Sequence, residues 1–224
     1  MHIEPGLVNE AKIVLSYATA VGAFGYLGKE AWLSIKERGA VSVAARSLLA
    51  TLLVFCFFEV LPHQAVGVSE VHLILGSTLF LILGSVPAAI GLAMGLLIQG
   101  VFFAQFDLPQ YGMNVTTLLV PLFAMAAISS KVINRETAYV NIKYAQALRL
   151  SLTYQGSIIA WVAFWAFYGQ GFGVENLSSV ASFSVAYLSV VLIEPVVDLA
   201  ILAAAKTASK FKDSSLLNTR LFNA

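Results

Sequence analysis

The chain has 224 residues, of which 59% are hydrophobic and only 11% are charged, and its formal net charge is +1. Soluble domains carry about 25% charged residues, so this chain has too few polar side chains to cover a surface that faces water. The composition predicts an all-α integral membrane protein, and the lack of a basic block argues against a nucleic-acid partner.

Long apolar runs predict about seven transmembrane helices within a single membrane domain, 1–224. A helix needs about 20 predominantly apolar residues to cross a hydrocarbon core of about 30 Å. The third and fourth runs are divided at Gly84, because Pro87 can occupy the first turn of a new helix. In chain order, the predicted spans are 9–28, 41–61, 71–85, 86–105, 112–133, 151–172 and 178–205, which together form a bundle over 9–205.

The distribution of basic residues predicts the orientation of this bundle. All Lys and Arg residues except Lys12 flank the connection after the first span, the connection after the fifth span, or the tail, 206–224. An excess of Lys and Arg marks the cytoplasmic loops of membrane proteins. We therefore expect the amino terminus on the outer side of the lipid bilayer and the tail in the cytoplasm.

Motifs of nucleotide hydrolysis and of the common hydrolases are missing from the sequence. It contains no Walker A sequence, no GxSxG and no HExxH, and its single cysteine, Cys56, excludes a redox dithiol. We therefore expect that the chain is not an enzyme and does not hydrolyse ATP through a phosphate-binding loop.

The N-terminal segment, 1–8, begins with Met1-His2-Ile3 and contains a candidate metal chelate. If Met1 keeps a free amine, this amine, the backbone nitrogen of His2 and its imidazole Nδ1 can bind one ion through a five-membered and a six-membered ring. Three nitrogens in one plane suit Ni(II), Cu(II) or low-spin Co(II) and disfavour tetrahedral Zn(II). The other interpretation, that His2 is an ordinary polar residue at a frayed terminus, stays open.

Two further histidines are expected on the outer side. His72 lies at the outer end of the third predicted span, and it is the best candidate for a fourth ligand because an imidazole at that depth is costly unless it is bonded. It could equally be an interfacial histidine with ordinary hydrogen bonds. His63 falls in an outer loop, where it is either a solvated residue or a metal relay.

The last predicted span contains two carboxylates, Glu194 and Asp198, separated by one helical turn. This spacing places both on one helix face, and acidic residues inside a membrane usually face the bundle or a cavity. A functional role and a role in helix packing remain equally open for this pair.

Several segments together resemble the CbiM/NikM family. They are Met1-His2-Ile3 with Gly6, the stretch 67–76 that contains Ser69 and His72, the stretch 111–115 that contains Asn114, and Ile193-Glu194. This family comprises the metal-binding substrate-specificity subunits of energy-coupling-factor importers for cobalt and nickel. The resemblance covers roughly 1–205 and implies a seven-helix bundle in a prokaryotic plasma membrane.

The resemblance also implies ligands and partners. The Met1 amine, the amide and imidazole of His2, and the His72 imidazole would hold transported Co(II) or Ni(II), with no permanently bound cofactor. Asn114 matches a family asparagine beside the site and would support these ligands. Ser69, from the matching stretch, and His63, from its position in the outer loop, are further candidates for such support or for a relay. Energy would come from a transmembrane coupling subunit and two ATPase subunits, with or without a small accessory membrane subunit.

The chain departs from the family pattern at two points. Pro5 stands where the family has an acidic residue, and one additional residue separates Ser69 from His72. Two alternative functions are an S-component-like permease for an organic vitamin and a non-transporting assembly or sensor subunit that uses the same metal site.

Overall fold

The computed structural model describes residues 2–207 and 214–223, so Met1 lies outside the described residues. The described chain is all-α apart from one small antiparallel sheet, as predicted. Short 3-10 helices cover Gln105–Gln110, Tyr139–Asn141 and Thr219–Leu221. The main elements are α1 (Glu10–Arg38), α2 (Ala40–Glu59), β1 (Gln64–Val66), β2 (Ser69–Val71), α3 (Gly76–Leu83), α4 (Ser85–Phe102), α5 (Tyr111–Val132), α6 (Tyr144–Gln170) and α7 (Val174–Thr207).

Five of the described helices, α2, α4, α5, α6 and α7, are long and apolar enough to cross a membrane. Their outward faces carry bare apolar side chains, such as Leu52 on α2 and Val185 on α7, which are 56% and 70% exposed. A surface of this kind would be costly in water and is expected where lipid is the solvent. The structure is therefore that of a multi-pass membrane protein.

The predicted third span, 71–85, is wrong as a helix of membrane-crossing length. Helix α3 has eight residues and is therefore about 12 Å long. Val71 pairs with Gln64 in the sheet, and Leu75 adopts a left-handed conformation with φ 55° that delays the start of the helix. An apolar run reports burial and does not distinguish a buried strand or irregular segment from a helix.

Residues 72–83 nevertheless lead from one end of the bundle to the other. His72 and Gln99 both contact His2, so His72 lies near the C-terminal end of α4. Leu83 lies near the start of α4, where its carbonyl accepts a hydrogen bond of 2.9 Å from Arg46. Irregular backbone at membrane depth is tolerated where protein covers it, and His72 and Leu75 are both buried.

Glycines permit the close contact between α2 and α4. A Cβ atom at Gly91 would lie 2.4 Å from Cβ of Ala50, and one at Gly95 would lie 2.5 Å from Cγ1 of Val54. Small residues at such an interface let two helix backbones approach, which replaces the hydrophobic driving force that lipid does not provide. This pair of helices forms one wall behind the N-terminal segment.

The end of the chain closes the opposite side of the bundle. Leu221 is fully buried, and the backbone nitrogen of Asn218 donates to the Ile82 carbonyl of α3 at 2.6 Å. Arg220 donates to the Ile133 carbonyl at the end of α5 at 3.2 Å. Helix α7 continues to Thr207, and residues 214–223 of the predicted tail are packed against the helices.

Candidate metal centre

The N-terminal segment lies as a third strand beside the small sheet. Ile3 forms an antiparallel bridge with Ser69 of β2. The Glu4 nitrogen donates to the Val68 carbonyl at 3.2 Å, and the Glu70 nitrogen donates to the His2 carbonyl at 3.0 Å. Ile3 is fully buried beneath this pairing and His2 is also buried, so these two residues are inserted into the bundle rather than frayed.

The segment is held at its other end by α6. A turn at Gly6, with φ 84°, leads to Leu7, whose carbonyl accepts a hydrogen bond of 2.8 Å from Nε2 of Gln170. A Cβ atom at Gly169 would lie only 2.0 Å from the Leu7 carbonyl oxygen, so glycine is required for this approach. Lys12 donates to the Tyr168 carbonyl near the C-terminal end of α6 at 2.8 Å. The partial negative charge of this helix end explains why one basic residue lies apart from the other Lys and Arg residues.

The His2 imidazole is buried between two polar side chains. Nε2 lies 2.7 Å from Oε1 of Gln99, and Nδ1 lies 2.8 Å from Oδ2 of Asp107. An amide oxygen only accepts, so Nε2 carries a hydrogen and Nδ1 is the nitrogen left for a metal. The Asp107 carboxylate lies beside Nδ1 without forming an aligned hydrogen bond to it, so an ion that binds Nδ1 would arrive next to a carboxylate.

His72 presents a second buried imidazole beside β2. Nε2 lies 2.8 Å from Oε2 of Glu70, and the ring stacks on the exposed His63 ring at 4.8 Å with its edge packed against Phe58. Burial lowers the pKa of His72 to about 3, although the Glu70 carboxylate opposes the shift. The imidazole is therefore neutral near pH 7, which is the form that binds metals.

Glu70 is held in its ionised form by its neighbours. Burial raises the pKa of its carboxyl group, but the hydrogen bond with His72 and the electrostatic effect of the neighbouring His2 outweigh burial and bring the pKa to about 2. The donor atoms of His2, Glu70 and His72 all lie within 4.8 Å of one another. Nitrogen and oxygen ligands bind transition metals at about 2.0–2.2 Å, so two ligand atoms of one ion lie at most about 4.4 Å apart, and a small side-chain movement would let one ion reach all three donors.

Two predicted supporting residues contact the same segment. Oδ1 of Asn114, on α5, accepts from the Ile3 nitrogen at 3.0 Å, and the Ser69 hydroxyl donates to the His2 carbonyl at 2.9 Å. His63 is exposed and covers the outer face of the His72 ring. Met1, the predicted source of the amine ligand, lies outside the described residues.

Three residues of this centre were not predicted: Glu70, Gln99 and Asp107. Glu70 and His72 are two positions apart, so a strand assignment would have placed them on one face. Gln99 and Asp107 come from the end of α4 and the 3-10 helix that follows it, far from His2 in the chain. No local pattern indicates such contacts.

Glu194 and Asp198 belong to a separate polar cluster at the start of α3. Glu194 accepts from the Ser77 nitrogen at 3.3 Å and from Nε2 of Gln155 at 2.8 Å, while Asp198 accepts from the hydroxyl groups of Ser77 and Thr78. Both carboxylates are fully buried, and within residues 2–207 and 214–223 neither one forms an ion pair. The cluster ties α3 to α6 and α7.

Residues 2–210 match the model of the CbiM family, which is described as the cobalt uptake substrate-specific transmembrane region. A crystal structure of a truncated transition metal transporter is similar with a TM-score of 0.75 and 16% identity, covering 93% of this chain and 99% of that one. A second, of a transition metal transporter, has a TM-score of 0.74 and 15% identity, covering 94% of each chain. At these identities the likeness shows the fold. No curated protein matches significantly.

Proposed function

Because this chain belongs to the CbiM family of cobalt-uptake transmembrane regions, we propose that it is the substrate-binding subunit of an importer and captures Co(II) or Ni(II). Family membership makes it a membrane component of metal uptake. The identity of the ion, the residues that bind it and the subunits that supply energy are part of the proposal. The observation that supports it best is the meeting of two buried imidazoles, those of His2 and His72, beneath the inserted chain start.

The proposed site combines the N-terminal chelate with His72. The Met1 amine, the His2 backbone nitrogen and Nδ1 of His2 supply three nitrogens, and the His72 imidazole supplies the fourth. Gln99 holds Nε2 of His2 so that Nδ1 faces the ion, as hydrogen-bonded partners commonly do for ligating histidines. Asn114 and Ser69 fix the backbone on either side of His2.

The proposed orientation places the metal centre on the outer side of a prokaryotic plasma membrane. With the six long helices and residues 72–83 as seven crossings, the two chain ends would lie on opposite sides of the membrane. Arg38 at the end of α1 donates to Thr219, and Arg220 donates to the Ile133 carbonyl after α5, so basic residues lie where residues 214–223 pack, as expected for a cytoplasmic face. A coupling subunit and two ATPase subunits would supply the energy.

The decisive experiment compares metal binding and uptake in variants of the chain start. With a native N-terminus, the protein should bind Ni(II), and cells that also make the coupling and ATPase subunits should accumulate it. The change His2→Ala and an N-terminal extension should each weaken binding by more than the roughly 10- to 100-fold typical of lost outer contacts, because each removes nitrogen ligands. Glu136→Ala, at an exposed position in the connection between α5 and α6, is the control and should bind and accumulate Ni(II) normally.

Each outcome separates this function from its alternatives. An extended variant that binds Ni(II) normally would contradict the chelate. Binding of a cobalamin-type ligand without binding of Ni(II) or Co(II) would instead support a vitamin permease. Metal binding without uptake, in cells that contain all partner subunits, would support a non-transporting assembly or sensor subunit.

A further inference from the structure

Glu70 is positioned as firmly as the two imidazoles beside it. Its backbone nitrogen donates to the His2 carbonyl at 3.0 Å, and the preceding Ser69 hydroxyl donates to the same oxygen at 2.9 Å. Glu70 lies in β2, which pairs with β1. The Glu70 side chain is therefore attached to the strand that also fixes His2, and it points to the imidazole of His72.

The donor distances suit a shared ion. Two ligand atoms at right angles, each about 2.1 Å from a metal, lie about 3.0 Å apart. Nε2 of His72 donates to Oε2 of Glu70 at 2.8 Å, so an ion that replaces this proton would bind both atoms, and a nitrogen of His2 completes a group within 4.8 Å. Asp107 also contacts His2, but it lies outside this group of three.

We propose that the Glu70 carboxylate is a direct ligand of the transported ion and gives the centre a mixed nitrogen and oxygen coordination set. This inference rests on the proposed function and changes its coordination chemistry. The chelate with His72 alone supplies four nitrogens, a set that favours a square-planar ion. An oxygen above that plane makes the ion five-coordinate or higher.

The added ligand has a measurable electronic consequence. Square-planar Ni(II) has no unpaired electrons, whereas an axial ligand raises the energy of the d orbital along its axis until two electrons become unpaired. A carboxylate oxygen also suits harder ions better than nitrogen alone does. Bound Ni(II) or Co(II) would therefore be high-spin, and the centre would accept divalent transition-metal ions that tolerate five or more ligands rather than only those that prefer a plane.

The test uses the full chain with its native N-terminus, loaded with Ni(II) alone. Magnetic susceptibility in solution and nickel X-ray absorption should show paramagnetic Ni(II) with at least one oxygen ligand. In Glu70→Val, a residue that favours strands, bound Ni(II) should become diamagnetic and show the edge feature of a square-planar centre. Glu70→Leu provides a second apolar replacement if the first does not fold.

Asp107→Asn is the matched control, because it neutralises a carboxylate that touches His2 from outside the group of three. It should weaken affinity while Ni(II) stays paramagnetic. Diamagnetic Ni(II) in the unmodified protein, or paramagnetic Ni(II) in the Glu70 variants, would overturn the role of Glu70 alone. Absence of bound Ni(II) in the unmodified protein would instead count against the proposed function itself.

Discussion

The ring of His2 is held from two sides by residues that do not adjoin it in the sequence. Gln99 at 2.7 Å accepts from Nε2, and Asp107 at 2.8 Å pairs with Nδ1. At the proposed centre, the first contact would leave Nδ1 as the nitrogen that binds a metal, and the second would place a carboxylate where a cation arrives. Together they would hold the imidazole in position before an ion binds, which would reduce the ordering that binding requires.

Replacing Gln99 by leucine tests whether Gln99 positions the His2 ring for metal binding. We expect Gln99→Leu to weaken Ni(II) binding by about 10- to 100-fold, because the ring loses the partner that fixes its orientation. Titration of the purified protein with Ni(II) measures the effect. Gln105→Leu, at an exposed position three residues past the end of α4, is the control and should bind normally. Equal affinities in the two variants would contradict a positioning role for Gln99.

Some residues of the candidate site could be predicted from sequence motifs, whereas others could not. His2, Ser69, His72 and Asn114 lie in motifs, and the structure brings them together around the chain start. Their roles as ligands and supports stay predictions. Gln99 and Asp107 could not be found, because their contact with His2 depends on how α4 and the following 3-10 helix pack, and no short-range pattern contains that information.

Helix α3 is an unusual element because it begins inside the bundle. Its first backbone nitrogens cannot bond within the helix, and they lie away from water. Glu194 accepts from the Ser77 nitrogen, and Asp198 accepts from the hydroxyl groups of Ser77 and Thr78, so α7 supplies the acceptors that water would supply at a surface. We propose that this cap holds α3 in place and thereby holds His72, four residues before Gly76.

Removal of the Glu194 carboxylate should therefore destabilise the bundle. In Glu194→Ala, the Ser77 nitrogen and Nε2 of Gln155 lose their acceptor, and each unsatisfied buried group costs about 1–3 kcal/mol. We expect the free energy of unfolding to fall by about 2 to 5 kcal/mol, measured by reversible denaturation in detergent, and Ni(II) affinity to fall as well. The exposed Glu175→Ala in the first turn of α7 is the control. A variant as stable as this control would contradict the cap.

The boundaries of α3 could not be predicted because hydropathy carries no information about backbone conformation in a buried run. Residues 71–85 are apolar almost throughout, and the structure divides them among a strand, an irregular segment with a left-handed Leu75, and a short helix. The long helices were easier to predict. Lipid on one face and protein on the other require apolar residues along their whole length.

The whole molecule has two unlike ends. One end contains the inserted chain start, the sheet and the carboxylates Glu70 and Asp107, whereas the other contains Arg46 and the packed residues 214–223. Between them the lateral surface is apolar, with Val21 of α1 73% exposed. This arrangement supports the proposed orientation, with the metal centre outside and the basic end in the cytoplasm.

Labelling of single cysteines tests this orientation. In a Cys56→Ser background, Gln64→Cys in β1 should react with a membrane-impermeant maleimide added to intact cells, because the sheet lies on the proposed outer side. Glu136→Cys, which is exposed in the connection between α5 and α6, should react only after the cells are permeabilised. The reverse pattern would place the metal centre in the cytoplasm and contradict uptake by outward capture.

At the proposed metal centre, the bridge between Ile3 and Ser69 would also affect the kinetics of exchange. An ion beneath it would be released outward when residues 2–4 separate from the sheet and Ile3 leaves its fully buried position. Because entry requires the same opening, slow separation would slow loading and lengthen the residence time of the ion alike. A subunit that exchanges its ion slowly in this way would retain its cargo until the proposed ATP-driven partners arrive.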